Sequence, residues 1–298
     1  MRKKYLIFSI VIVVIISIVC VLSYYLYNIF QPFIPIKNEI DLQTLSGKII
    51  LENTIDNREQ KGIVIYTPCT GNKEEILNDY IVYNAEISKT NNKLLMCGDS
   101  ENYVFEYDLK SKKITPIIKN VAGGIHDLVK YLPNEDSVCY ADNKGLHLFN
   151  KLNKVDNLIL NDIETVSWAK DSTTFIYSKA NENNAYKYNI LKKEEQFLFS
   201  GYNPQYSNDD KLIAYLPQYM DKTLIITDQS TGKQWEYITN SGIIEYTFSP
   251  DNNYIAIVEL SKKVLLSPMS GPVVIWDFKN NKKSILFENY YGKFIDWK

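Results

Sequence analysis

Histidine, cysteine and local catalytic signatures are scarce in these 298 residues, and each shortage removes a class of chemistry. Only two histidines occur, His126 in AGGIHDL and His147 in LHLF. A nucleophilic triad needs a Ser or Cys beside a His base, and no G-x-S-x-G turn is present to display one. H-E-x-x-H, Cys-x-x-Cys, Walker and dinucleotide patterns are also missing, so no metal, phosphate or nicotinamide chemistry is signalled and no cofactor is implied. The stretch CTGNKEE, 69–75, lacks the opening glycine and the Gly-Lys-Ser/Thr ending of a phosphate loop and reads as a turn. Four cysteines without tight spacing make no disulfide framework; Cys97 and Cys139, in LLMCGD and DSVCYA, are the one pair worth testing. An excess of basic charge is lacking too, with 33 Lys and Arg against 35 Asp and Glu, which argues against a nucleic-acid partner.

What the chain does have is a long uncharged stretch near its start. Residues 5–30, YLIFSIVIVVIISIVCVLSYYLYNIF, are apolar almost throughout. At about 1.5 Å per residue such a helix reaches roughly 39 Å, enough to cross a hydrocarbon core of about 30 Å. Tyr24, Tyr25 and Tyr27 cluster at its far end, and Pro32 and Pro35 stop the helix. Arg2, Lys3 and Lys4 precede it, so the positive-inside bias places residues 1–4 in the cytoplasm and residues 37–298 outside the plasma membrane. The apolar run exceeds a usual signal-peptide core and no small-x-small cleavage site follows, which favours a retained single-pass anchor. Beyond a linker over 31–46, residues 47–298 remain for a folded domain.

That domain is written as a repeat. A hydrophobic or aromatic residue, a polar turn and an apolar run recur as ISKTNNKLLM from Ile87, YLPNEDSVCY from Tyr131, WAKDSTTFIY from Trp168, YSNDDKLIAY from Tyr206 and FSPDNNYIAI from Phe248. Each is the end of one strand, a tight turn, and the start of an antiparallel partner. A second alternating run follows in every period, as in VFEYDL, LHLFNK, YKYNIL, LIITDQ and VVIWDF, and a last short apolar run such as FLF completes it. Four short antiparallel strands per period are the content of a propeller blade. The first unit, from Gly47, lacks a first strand, while FIDWK at the carboxyl end is a first strand with nothing after it. Joined, they complete a sixth blade and close the ring without an open edge. The expectation is an all-β, six-bladed β-propeller of four-stranded antiparallel blades, at about 44 residues per blade.

FSPDNNYIAI resembles the SPDG-type signature of TolB-like propeller repeats, and VVIWDF looks like the Trp-Asp end of the related Trp-Asp repeat. YSNDDKLIAY and WAKDSTTFIY are further copies of the former. The resemblance spans the exported region at repeat level and implies a six-bladed structural unit.

Candidate functional residues follow from the repeat. Positions just before the first strands converge on the central funnel, which brings forward Asp127, Glu164 and Glu245 as carboxylates able to act on a glycan. Asp171, Asp209 and Asp251 recur at the first turn, where Asx side chains cap the backbone; a calcium loop would need several oxygen ligands in one segment. Between second and third strands, blade six alone carries a long apolar insertion, Glu259–Pro272, whose Val264, Leu265, Leu266 and Met269 are candidates for contact with a partner or lipid. The leading expectation is a non-catalytic binding or scaffold protein of the cell envelope, recognising a protein, peptide or glycan. The alternative is an envelope glycan hydrolase or lyase that uses the funnel carboxylates.

Overall fold

Alternation of apolar and polar residues in short runs, punctuated by Asx-rich turns, produces strands and little else. The computed structural model describes residues 38–298 except 55–59, 91, 99–102, 120–124, 180, 261–269 and 293–294. The apolar segment 5–30 and the insertion residues Val264, Leu265, Leu266 and Met269 lie outside the described residues. The first blade holds β1 (Ile49–Thr54), β2 (Gln60–Thr67) and β3 (Asn72–Ile76). The second holds β4 (Val82–Ile87), β5 (Lys93–Gly98), β6 (Tyr103–Asp108) and β7 (Ile114–Ile118). The third holds β8 (Ile125–Tyr131), β9 (Ser137–Asp142), β10 (Gly145–Asn150) and β11 (Asp156–Leu160). The fourth holds β12 (Ile163–Trp168), β13 (Thr174–Lys179), β14 (Asn184–Asn189) and β15 (Glu194–Ser200). The fifth holds β16 (Tyr202–Tyr206), β17 (Leu212–Leu216), β18 (Thr223–Asp228) and β19 (Gln234–Ile238). The sixth holds β20 (Ile243–Phe248), β21 (Ile255–Glu259), β22 (Ser270–Asp277) and β23 (Lys282–Tyr291), and β24 (Ile295–Trp297) returns to the first.

Among the described residues, all six sheets are four-stranded and antiparallel, as the repeat predicts. Ring closure follows the expected route: β24 pairs with β1 through Ile49 opposite Trp297, Ile50 opposite Asp296 and Leu51 opposite Ile295. Two backbone bonds extend the ladder, Lys48 N–H to Lys298 O at 2.6 Å and the return bond at 3.1 Å. Trp297 is buried and its indole N–H donates to Ser46 O at 2.9 Å. Gly47 sits beside this seam with φ 86°, and a Cβ there would stand 2.4 Å from Lys298 O, so the closure needs glycine at that point.

Second strands are flanked on both faces and read as continuous apolar runs: all five residues of β21, IAIVE, are buried, whereas the outer strands β3 and β15 are largely exposed. Neighbouring blades bury their faces against each other. Leu95, Cys97 and Val129 pack between blades two and three, while Cys139, Leu146 and Phe175 pack between blades three and four. Cys97 and Cys139 therefore occupy different interfaces and are not joined to each other by a disulfide. Burial pushes the Cys139 thiol up to about 12, against the Trp168 indole N–H that donates to its sulfur at 3.1 Å.

The stretch before β1 is docked onto the sixth blade. Glu39 N–H donates to Lys283 O at 3.0 Å, Ile40 N–H to Ser284 Oγ at 2.7 Å, and Ile285 N–H to Asn38 Oδ1 at 2.8 Å. Residues 38–40 thus cover part of the outer edge of β23. After a single 3-10 turn, Leu42–Thr44, Leu45 is buried in the cluster shared by blades six and one.

Candidate functional site

Each first strand presents one unpaired edge to the ring's axis, so its axial N–H groups need acceptors. Counting from Ile87, Tyr131, Trp168, Tyr206, Phe248 and Trp297, which share one register, the preceding residues are Glu86, Lys130, Ser167, Gln205, Thr247 and Asp296. In three junctions this preceding side chain accepts a backbone N–H of the next blade's first strand. Asp296 Oδ2 accepts from Ile87 N–H at 3.0 Å, Glu86 Oε2 from Tyr131 N–H, and Ser167 Oγ from Tyr206 N–H at 3.0 Å. One polar residue per repeat therefore stitches the inner strands together. The remaining three, Lys130, Gln205 and Thr247, make no such bond among the described residues.

These strands surround a channel of about 480 Å³. Its carboxylates are Glu86, Glu135, Glu164, Asp210, Glu245 and Asp296, and its ammonium groups Lys89, Lys130, Lys170 and Lys298. The two ends differ. On the side of the first turns, carboxylates are tied to the backbone of the neighbouring blade: the Lys89 backbone N–H donates to Glu135, and the Lys170 backbone N–H to Asp210 Oδ2 at 2.9 Å. Asn208 N–H donates in the same way to Asn252 Oδ1 at 2.7 Å. Glu135, Asp210 and Asn252 share one turn position with φ of 56°, 60° and 59°, a left-handed conformation that Asn and Asp tolerate well.

Asp171, Asp209 and Asp251 precede that position and act as the turn caps anticipated from the sequence. Asp171 Oδ1 accepts from Thr173 and Thr174 N–H, both at 2.7 Å, and Asp251 Oδ1 accepts from Asn253 N–H at 3.1 Å and Ser249 Oγ at 2.6 Å. Burial alone would raise the Asp171 carboxyl, but the Thr173 and Thr174 donors hold it below the ordinary aspartate range.

The opposite mouth is formed where chains arrive at the first strands and where second strands connect to third. A register shift recurs there, between Val82 and Asn84, Ile163 and Thr165, Tyr202 and Gln205, and Ile243 and Glu245. Bulges of this kind re-aim side chains. The candidate carboxylates fall at different positions of this shared bulge: Thr165, not Glu164, is the equivalent of Glu245, and Glu164 is the extra residue of β12. Glu164 is exposed and accepts from Tyr202 Oη at 2.9 Å. Glu245 is half-buried, and its Oε1 accepts from Asn203 Nδ2 at 2.9 Å, Gln205 Nε2 at 2.9 Å and Tyr246 N–H at 3.0 Å. Burial raises the Glu245 carboxyl above the usual range, against the Tyr246 N–H, Lys130 and the two amide donors. Both glutamates line the same channel. The third candidate, Asp127, belongs to β8, and its side chain lies outside the described residues.

Sequence reasoning passed over the residues that give this mouth its character. Tyr202 is buried beneath Tyr219, with ring centroids 5.2 Å apart and planes at 76°, and Tyr219 is 54% exposed on the β17–β18 connection. Lys130 is the one ammonium among the inner-strand residues that precede the shared register, within electrostatic reach of Glu86 and Glu245. The periodic polar position was visible as Glu86, Lys130, Ser167, Gln205, Thr247 and Asp296; its meaning depends on knowing which strand edge faces the axis.

His147 has no place in this site. In β10 its Nε2 faces Asp142 Oδ1 at 3.1 Å, its Nδ1 faces Asp156 Oδ1 at 3.3 Å, and its ring stacks on Tyr140 at 4.9 Å. With both nitrogens engaged by carboxylates, it is a structural pin within blade three. The backbone of His126 falls in β8, and its side chain lies outside the described residues.

No family model matches the chain, and no curated protein matches it. Solved structures do. TolB from Acinetobacter baumannii superposes with a TM-score of 0.68 at 16% identity, over 87% of this chain and 67% of that one. A TolB structure from Agrobacterium tumefaciens gives 0.63 at 14% identity, over 86% of this chain and 99% of the other. A chain of a nidogen/laminin complex gives 0.63 at 8% identity, over 84% and 97%. At these identities the likeness is one of fold, a six-bladed propeller of the TolB kind.

Proposed function

We propose that this chain is a non-catalytic binding or scaffold protein of the cell envelope, which recognises a protein or peptide at the loop-side mouth of its channel. Residues 5–30 anchor it in the plasma membrane with its amino terminus in the cytoplasm and the propeller outside. The observation that carries the binding role is the commitment of the channel carboxylates: every one of the six described accepts a hydrogen bond from the protein itself. Such a lining is a fixed, charged recognition surface rather than a nucleophile poised beside a base. Support also comes from the fold, since a chain of similar fold comes from a nidogen/laminin complex.

The test is photo-crosslinking of the intact, membrane-embedded protein, with the reactive residue at Tyr219 on the mouth or, as control, at Leu191, 78% exposed on the β14–β15 turn. A discrete adduct formed from Tyr219 and absent from Leu191 is expected. Identical background adducts from both positions would refute the reading. One observation favours glycan hydrolysis or lysis as a second reading: the burial-raised Glu245 shares the channel with a second carboxylate, Glu164, in the manner of an acid and its partner. Turnover of cell-wall glycan that disappears in Glu245→Gln would establish it, and no turnover by the unmodified protein would discard it.

A further inference from the structure

We propose that the channel mouth holds a cation-recognition subsite, built from Glu164, Tyr202, Tyr219, Glu245 and Thr247, that takes an alkylammonium or guanidinium group carried on a peptide segment. This rests on the binding role proposed above and names the chemistry of the same site. Three independent features converge on it.

Charge is the first. Among the described residues, no Lys or Arg nitrogen lies within 4.0 Å of Glu164 or Glu245, whereas Glu86 has Lys298 at 3.6 Å and Glu106 has Lys151 at 2.8 Å. Glu245 spends Oε1 on its three donors, which leaves Oε2 for the channel. Glu164 likewise offers the oxygen that Tyr202 does not use. Neighbouring residues of β16 hold the two carboxylates, Tyr202 donating to Glu164 and Asn203 to Glu245, each at 2.9 Å.

Aromatic surface is the second. Tyr219 leaves 54% of its surface exposed while its edge is braced by Tyr202, whose hydroxyl donates to Glu164 at 2.9 Å. A tyrosine face beside carboxylates attracts a cation through the ring quadrupole and the neighbouring charge together, and guanidinium gains further by stacking.

The third feature is Thr247. It is only 9% exposed, lines the channel, and its hydroxyl has no hydrogen-bond partner among the described residues. Its counterparts Asp296, Glu86 and Ser167 each accept from the next blade. Two residues beyond Glu245 in β20, it projects to the same side of the strand, one pleat deeper into the channel. A hydroxyl that makes no bond within the protein and opens onto the channel beside the carboxylate gives an inserted N–H donor a second anchor.

The experiment uses the full chain in lipid nanodiscs and three probes: N-acetylarginine amide, its neutral isostere N-acetylcitrulline amide, and spermidine, each followed by saturation-transfer NMR. The arginine probe should bind about tenfold more tightly than the citrulline probe. Glu164→Gln and Glu245→Gln should each weaken it about fivefold, and Thr247→Val and Tyr219→Ala about threefold, with unfolding midpoints confirming that each variant is folded. Equal binding of the arginine and citrulline probes would overturn the subsite, as would undiminished arginine binding in the folded Glu164→Gln/Glu245→Gln double variant. Spermidine binding more tightly than the arginine probe through the same residues would overturn the peptide source in favour of a free polyamine. A Tyr219 crosslink that persists while the probes fail sinks only the cation subsite. Probes that bind in the expected order without any crosslinked partner sink only the scaffold role.

Discussion

Two glutamates with opposite electrostatic fates, Glu106 and Glu245, separate structural charge from functional charge. Glu106, 7% exposed between blades two and three, is held by Lys151 Nζ at 2.8 Å, Lys93 Nζ at 3.2 Å and Tyr131 Oη at 3.2 Å. Burial would raise its pKa, but the two lysines outweigh that and hold it below the ordinary carboxylate range. A depressed folded-state pKa means the ionised form stabilises the fold, fully so above the unfolded value and progressively less as pH falls through the folded one. Glu106→Gln should therefore cost about 3 kcal/mol near neutral pH, and urea unfolding should show that deficit shrinking below the ordinary glutamate pKa. Glu245 runs the other way. Its carboxyl is raised by burial, so the charged form opposes folding above the unfolded pKa and the penalty fades as the group protonates. Glu245→Gln keeps an amide oxygen for the Asn203, Gln205 and Tyr246 donors while removing the charge. It should leave stability at pH 7 unchanged or raise it by up to about 1 kcal/mol, the sign expected where a charge is kept for binding rather than for folding. Loss of more than about 1 kcal/mol in the same urea titration would assign Glu245 a structural role instead.

At the scale of single elements, the shortest strand has the largest consequence. β24 spans only Ile295–Trp297, yet it supplies the inner strand of blade one, the Trp297 contact with the Leu45 cluster and the Asp296 acceptor for Ile87 N–H. Trp297→Ala should lower stability by about 4 kcal/mol, the range for large-to-small changes in a closed core, and Asp296→Ala by about 2 kcal/mol through the acceptor removed from the next blade. Chemical denaturation of the full chain measures both, and losses below about 1 kcal/mol would mean that the ring does not depend on this seam.

The role of β24 is legible in the sequence because FIDWK repeats the start of a period and Gly47 begins a unit that lacks one. The turn caps Asp171, Asp209 and Asp251 are equally legible, since Asx chemistry is local and recurs at fixed offsets. The site is less so. Glu164 stands four residues before Trp168 and Glu245 three before Phe248; β12 and β20 bulge at the same place, so Glu164 is the extra residue and Glu245 is back in register, and no periodicity in the sequence marks the bulge itself. The open state of Thr247 is invisible for a different reason: it is defined by a bond that its counterparts make across a blade junction and that it does not.

For the molecule as a whole, the distribution of thiols turns the proposed topology into a single measurement. Cys69 is exposed on the 3-10 turn Pro68–Thr70, whereas Cys97 and Cys139 are buried at blade interfaces. Cys20 lies in the segment assigned to the membrane. A charged, membrane-impermeant maleimide added to intact cells should then modify one position, and Cys69→Ser should abolish labelling of the native protein. Burial pushes the Cys139 thiol up to about 12, so that residue holds little thiolate at neutral pH even where reagent reaches it, and its labelling should begin only after the ring is unfolded. If Cys69 reacts only after the cells are permeabilised, the propeller faces the cytoplasm and the direction read from Arg2, Lys3 and Lys4 is reversed. If Cys97 and Cys139 react with native protein as fast as Cys69, the blades part more readily than a closed ring allows, since local opening at an interface must cost most of the global stability when no free edge exists from which to fray.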